Sequence, residues 1–220
     1  MAEIPVGEFL LPVFPLPDVV FFPNTRLPLH IFERRYREMV SDALDGNRLI
    51  GMVLLRPGWE KDYYGAPPIH SFGTVGEIER VEHLEDGRFN LVLNGLVRYR
   101  VEELVSDSPY RVARVRAVPE VPELDETKVI RGTLVRLSRR LLASMPTDTA
   151  IPELATASLD SIVNALVMAL QLTPDMRQDL LEVSSVAERA REVETHLERT
   201  IEMLDFLAPF RSSGGDPGRN

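Results

Sequence analysis

The stretch "FGTVGEIERVEHLEDGRFNLVLNGLVRYRVEEL", residues 72–104, decides the fold. At its start Val75, Glu77 and Glu79 alternate with Thr74, Gly76 and Ile78, the two-residue period of a strand. Asp86-Gly87 then stands between two β-rich runs, a strong short-range signal for a hairpin. "VRYRVEEL" (97–104) alternates again.

Strand texture continues on both sides. "YRVARVRAV" (110–118) alternates, and "LIGMVLL" (49–55) is a continuous apolar run short enough for a buried strand. Several short strands at this spacing predict a barrel or a sandwich. One helix interrupts them. In "FERRYREMVSDALDG" (32–46), Tyr36, Met39, Val40, Ala43 and Leu44 recur at helical spacing. Asp45-Gly46 is expected to end it, the glycine taking the left-handed conformation.

After Pro119 and Pro122 the period changes. The acidic "PEVPELDE" (119–126) reads as a linker. Beyond it Ile130, Leu134, Leu137 and Leu141 share a helical face. Leu159, Ile162, Val163, Leu166, Val167 and Leu170 form a second stripe behind a Ser158 N-cap. Thr173-Pro174 is a cap followed by proline at the first helical position. Ser185-x-x-Glu188 is a capping box, followed by Val186, Ala190, Val193, Leu197, Ile201 and Leu204. The expected organisation is a barrel or sandwich over 1–118, a linker over 119–126, a helical bundle over 127–209 and a disordered tail over 210–220.

The chain has 220 residues and a net charge of -9. Residues 1–118 carry 14 basic and 17 acidic side chains, net -3; the remaining 11 and 17 give net -6. Neither part is basic, so nucleic acid and anionic membrane are poor partners. With no cysteine there is no thiolate metal site, disulfide or cysteine nucleophile. The N-terminus lacks a basic region followed by an apolar core, and no apolar run reaches the ~20 residues of a membrane helix. A soluble cytoplasmic protein is expected.

Catalytic signatures do not emerge. Lys61 and Lys128 are the only lysines, and neither completes a phosphate-binding GxxxxGK[ST] loop. His30, His70, His83 and His196 show no metal-ligand spacing. No serine lies in GxSxG or SxxK. "GTVGE" (73–77) reads as a structural glycine pair. The expectation is no catalytic residue, no metal and no cofactor. Arg98, Arg100, Arg111, Arg114 and Arg116 cluster on adjacent strands. They read as cross-strand partners of Glu77, Glu79 and Glu82, with an anionic or RNA-binding face as the alternative. "RPGWEKDYYGAPPI" (56–69) sets Trp59, the only tryptophan, beside Tyr63 and Tyr64 in a loop bounded by Gly and Pro. Aromatics on such a loop suit a contact surface or a lid.

"LPVFPLPDVVFFPNTRLPLHIFERRYREMVSDAL" (11–44) resembles the start of the N-terminal domain of ATP-dependent Lon proteases. Residues 72–104 resemble the strand-hairpin-strand segment of that domain, and "QLTPDMRQDLLEVSSVAERAREVETHLERTIEML" (171–204) is similar to the bundle after it. The resemblance spans about 10–207. It implies an α+β fold, a PUA-like mixed β-barrel with one or two helices and a C-terminal α-helical bundle. It further implies a stand-alone, non-catalytic recognition module for unfolded or extended polypeptide, or for a partner protein. In that setting Val13-Phe14 and Val19–Phe22 read as strand pieces, with Pro12, Pro15, Pro17 and Pro23 as bends at the barrel rim. Phe14, Leu16, Phe21, Phe22, Trp59, Tyr63 and Tyr64 are the candidate contacts of a partly exposed apolar rim.

Overall fold

Among the described residues six strands form one mixed sheet: β1 (Glu8–Leu16), β2 (Arg26–Ile31), β3 (Leu49–Leu55), β4 (Ile69–His83), β5 (Phe89–Ser106) and β6 (Arg111–Val118). Five α-helices accompany them among these residues: α1 (Arg34–Asp45), α2 (Thr127–Ala143), α3 (Leu159–Ala169), α4 (Pro174–Glu182) and α5 (Val186–Ser212). The structure is a computed structural model and describes residues 4–62, 65–106, 109–120, 127–143 and 157–212. By contact the chain divides into two units. The first is Met1–Val121 with Gln171–Ser184, and the second is Pro122–Leu170 with Ser185–Asn220.

In the first unit the strand order is β2-β5-β4-β3-β1-β6. Only β1 and β3 run parallel; the other pairs are antiparallel. A further β5–β6 pairing closes β5, β4, β3, β1 and β6 into a cycle, and β2 remains outside it as an edge strand. The strand β3 explains its own sequence. Ile50 and Met52 face one core, with Tyr36, Met39 and Val40 of α1. Leu49 and Val53 face another, with Leu11, Val75, Tyr99 and Val115. Both faces are covered, so the run has no polar phase.

Tyr99 occupies the second core, and its hydroxyl donates to the carbonyl of Met52 at 3.3 Å. Space for the ring comes from glycines. A Cβ on Gly73 would lie 2.2 Å from the Met52 carbonyl oxygen and 2.7 Å from the phenol carbon Cζ of Tyr99. The glycine of "GTVGE" is therefore structural. Burial pushes the Tyr99 phenol well above its usual range.

The N-terminal segment departs from expectation. Pro12 and Pro15 lie inside β1 rather than at bends. Pairing with β6 ends at Val13 and pairing with β3 begins there. Each proline thus sits where β1 has one neighbour, and its missing N–H costs no ladder bond on the open side. Val19–Phe22 is not a strand. The Phe21 carbonyl accepts from Thr74 Oγ1, and the Phe22 carbonyl accepts from Thr25 Oγ1 at 2.7 Å. Side chains therefore do the work of a ladder here. The backbone N–H of Asn24 donates to the Gly95 carbonyl at 2.8 Å, and a Cβ on Gly95 would meet the Phe22 carbonyl at 2.2 Å.

The helix α1 buries Tyr36, Met39, Val40 and Ala43, as its period predicts. Its end differs. Gly46 has φ -104°, and the left-handed residue is Arg48, with φ 64°. The Arg48 N–H donates to the Ala43 carbonyl at 2.8 Å, and its guanidinium takes the Ile78 carbonyl at 3.0 and 3.2 Å. Those bonds hold a non-glycine residue in a costly conformation.

The helix α4 lies within the 127–209 range expected to form a bundle, yet by contact it belongs to the first unit. Its buried residues are Gln178, Leu180 and Leu181, and the Gln178 amide donates to the Phe72 carbonyl of β4 at 3.2 Å. Thr173 caps it, accepting from the Met176 N–H, with Pro174 in the first turn. The second unit is a packing of α2, α3 and α5. Leu134, Leu137 and Leu141 of α2, Ile162, Val163, Leu166 and Val167 of α3, and Ala190, Val193, Leu197 and Ile201 of α5 are buried. Residues 121–126 of the expected linker and 213–220 of the expected tail lie outside the described residues, whereas 210–212 continue α5.

Candidate functional site

Most of the expected apolar rim is interior. Phe14 and Phe21 belong to the core against α1, and Phe22 is fully buried. They are not contact residues: an apolar run with no polar phase is covered as a whole, and its carbonyls are satisfied internally. Leu16 is half-buried against the same core. Tyr63 and Tyr64 lie outside the described residues. Trp59 is likewise half-buried, at the start of a short 3-10 helix, Trp59–Asp62. Positive φ at Gly58 (92°) lets the chain turn into that helix.

Among the grooves of the first unit, two lie toward opposite ends of β4. Near its start, Trp59 and Pro17, Pro57 and Pro174 wall a groove of about 220 Å³ whose rim carries Glu60 and Asp175. Near its end lies a larger groove of about 510 Å³, on the face of β2, β5 and β4. Pro28, Leu29, Val81, Leu91 and Val92 line it. The rim is a linked polar set. His30 Nδ1 donates to Asn90 Oδ1 at 2.7 Å, and His30 Nε2 accepts from Arg88 Nη1 at 3.3 Å. The Asn90 amide donates to Glu82 at 2.9 Å. A neutral imidazole with its proton on Nδ1 satisfies every one of these contacts.

Sequence reading missed this larger groove. Alternation places Val81 in a phase with Glu79 and Glu77, but the register of β4 on β5 shifts between Ile78 and Arg80. The bulge leaves Arg80, Val81 and Glu82 all exposed. An apolar Val81 between Arg80 and Glu82 was the available signal.

The arginine cluster does not form one face. Arg98 is buried, pairs with Glu120 at 3.0 Å, and donates to the carbonyls of Leu181 and Val183 at 2.9 and 2.8 Å. Arg111 is buried and donates to the Pro67 carbonyl at 2.8 Å. Arg114 pairs with Glu103, and Arg116 with Glu102 and Glu8. Only Arg100, Arg114 and Arg116 are exposed. The expected cross-strand pairing is present, but with other carboxylates than Glu77, Glu79 and Glu82. Glu79 pairs instead with Arg26, whose hydrogen bond holds the Glu79 carboxyl below its usual range.

Among the described residues no three His, Asp or Glu side chains gather as metal ligands, and no helix is long and apolar enough to cross a membrane. The family described as the ATP-dependent protease La (LON) substrate-binding domain matches residues 10–199. A Lon protease of Anaeromyxobacter dehalogenans is 30% identical over 198 residues, covering 89% of this chain and 23% of that protein. Lon protease 2 of Myxococcus xanthus matches with the same identity and coverage. The chain thus spans about a quarter of the length of these relatives. A solved Lon N-terminal domain protein from Xanthomonas campestris superposes with a TM-score of 0.63 at 25% identity, covering 84% of this chain and 96% of that one. The N-terminal domain of a Mycobacterium avium complex Lon protease gives 0.70 at 19% identity, covering 86% and 98%.

Proposed function

Because the chain belongs to the Lon substrate-binding domain family, we propose that it recognises unfolded or extended polypeptide, or a partner protein, and carries out no bond chemistry on it. On this reading the closed cycle of strands is a PUA-like β-barrel that serves as a rigid platform.

The observation that carries the reading is the groove over Pro28, Leu29, Val81, Leu91 and Val92. It is open and apolar, and its polar rim is tied down by the His30, Asn90 and Glu82 contacts. An apolar peptide stretch removing ~200 Å² from water would contribute roughly 5 kcal/mol before association costs. Binding is therefore weak and sequence-tolerant, as recognition of many unfolded chains requires. The peptide lies on the face of the sheet. The free edge of β2 carries Pro28, which lacks an N–H and blunts strand-by-strand addition there.

Titration with a reduced, unfolded model protein tests the proposal. Association in the micromolar range is expected, weakened about tenfold by Val81→Glu with Val92→Glu, which place charges in the groove without touching the core. Absence of association at high micromolar concentration would sink it. Incubation with casein, ATP and Mg²⁺ is expected to give no cleavage.

A further inference from the structure

The groove at Trp59 differs chemically from the larger one, and we propose that it takes a cationic side chain, arginine or lysine, of an extended polypeptide. This deepens the reading above by giving the substrate class a charge.

The wall is an indole flanked by Pro17, Pro57 and Pro174, with Leu54 and Leu55 behind. Such a surface suits the flat face of a guanidinium or the methylene stem of a lysine, and a cation over an indole is attracted by the ring quadrupole. The rim supplies the counter-charge. Glu60 comes from the 3-10 helix and Asp175 from the first turn of α4, and both are exposed. Neither makes an ion pair or hydrogen bond among the described residues, whereas Glu8, Glu79, Glu102, Glu103 and Glu120 each hold an arginine. The nearby Arg56 is turned away, donating to the Ile69 carbonyl at 3.0 Å. Two unneutralised carboxylates beside a half-buried aromatic, on a chain of net charge -9, complement a positive ligand. Asp175 is set on held backbone. Thr173 and Pro174 fix the start of α4, and the buried Leu180 and Leu181 fix its body. At about 220 Å³ the groove has room for one long side chain, while the peptide backbone passes outside it.

Trp59 is the only tryptophan, so the intrinsic emission of the full chain reports this groove directly. The experiment titrates it with an extended peptide carrying arginine between apolar residues. A second peptide is identical except for citrulline, which keeps the shape and loses the charge. The arginine peptide is expected to change Trp59 emission and to bind about tenfold more tightly at low salt, the sum of one cation–π contact and two exposed ion pairs. At 1 M salt the advantage falls to about twofold or less. Glu60→Gln with Asp175→Asn, both at exposed positions, removes the preference and leaves citrulline-peptide affinity unchanged; circular dichroism confirms that the variant is folded. Equal affinities, a preference that survives in the double variant, or binding without a change in emission would each overturn the charge selection while leaving polypeptide recognition standing. If neither peptide nor the unfolded protein binds, both readings fall together.

Discussion

Each unit holds one arginine among the most deeply buried side chains, and the two are answered by different chemistry. Arg98, on β5 of the sheet unit, takes the carbonyls of Leu181 and Val183 at the end of α4 and pairs with Glu120. Arg189, on α5 of the helical unit, donates to the side-chain oxygen of Asn164 on α3 at 3.0 Å. The last carbonyls of a helix have no partner within it. Arg98 supplies one across a separation of more than eighty residues. That bond helps explain why α4 groups with the sheet rather than with the helices beside it in sequence. Arg189 instead joins helices whose apolar stripes already pack. In one unit the buried charge recruits a distant segment; in the other it joins elements already in contact.

The largest effect is expected at Arg98. Arg98→Met leaves Glu120 and the α4 carbonyls without the guanidinium, at a cost of roughly 3–5 kcal/mol. Chemical denaturation measures the loss. Hydrogen exchange locates it: amides of 174–182 should lose protection, while those of α3 and α5 keep theirs. Undiminished protection of α4 would mean that Leu180, Leu181 and Gln178 suffice to dock it.

In the helical unit, Arg189→Met takes a donor from the buried Asn164 Oδ1 and should cost about 1–3 kcal/mol. Adding Asn164→Leu removes both sides of that bond together, and part of the loss should return. The same logic fails for Arg98, because backbone carbonyls cannot be mutated away. A double variant no better than Arg189→Met would show that Asn164 is not the group left wanting.

This difference also governs what the sequence made legible. The stripe of Leu159 to Leu170, the Thr173-Pro174 start and the Ser185-Glu188 cap all depend on neighbours a few residues apart, and all are found. The run Leu49–Leu55 was equally plain, since burial on both faces leaves a continuous apolar signature. What stayed hidden depends on distant partners. Arg98 alternates with its neighbours like a surface residue, and only the end of α4 shows why it is buried. Val19–Phe22 reads as a strand because its composition is that of one, yet its carbonyls go to Thr74 and Thr25. Arg48 takes the left-handed position that Gly46 was expected to hold because Ile78, thirty residues away, accepts from it. The larger groove depends on a bulge in β4 that shifts the phase of Val81. The partial exposure of Trp59 was readable because a lone tryptophan in a Gly- and Pro-bounded loop has no stripe to join. Phe14, Phe21 and Phe22 were misread because apolar residues near prolines look the same whether a rim or a core receives them.

The smallest effects compare one surface contact from each unit. In the sheet unit the Tyr110 hydroxyl donates to Asp42 at 2.7 Å; partial burial and that bond push the phenol up to about 12. In the helical unit Arg140 pairs with Asp205 on the surface. The phenol is raised above its ordinary value near 10, so its contribution is whole below pH 10 and lost as pH climbs through 12. Tyr110→Phe should therefore cost up to about 1 kcal/mol at neutral pH, and the gap from the parent protein should close between pH 10 and 12. Asp205→Asn should cost about 0–1 kcal/mol, fade with added salt and show no step in that window, since the arginine stays charged throughout. Stability curves of both variants against pH, in low and high salt, separate the two behaviours. A Tyr110→Phe gap that stays constant to pH 12 would assign the contact to packing of the ring rather than to the hydroxyl held by Asp42.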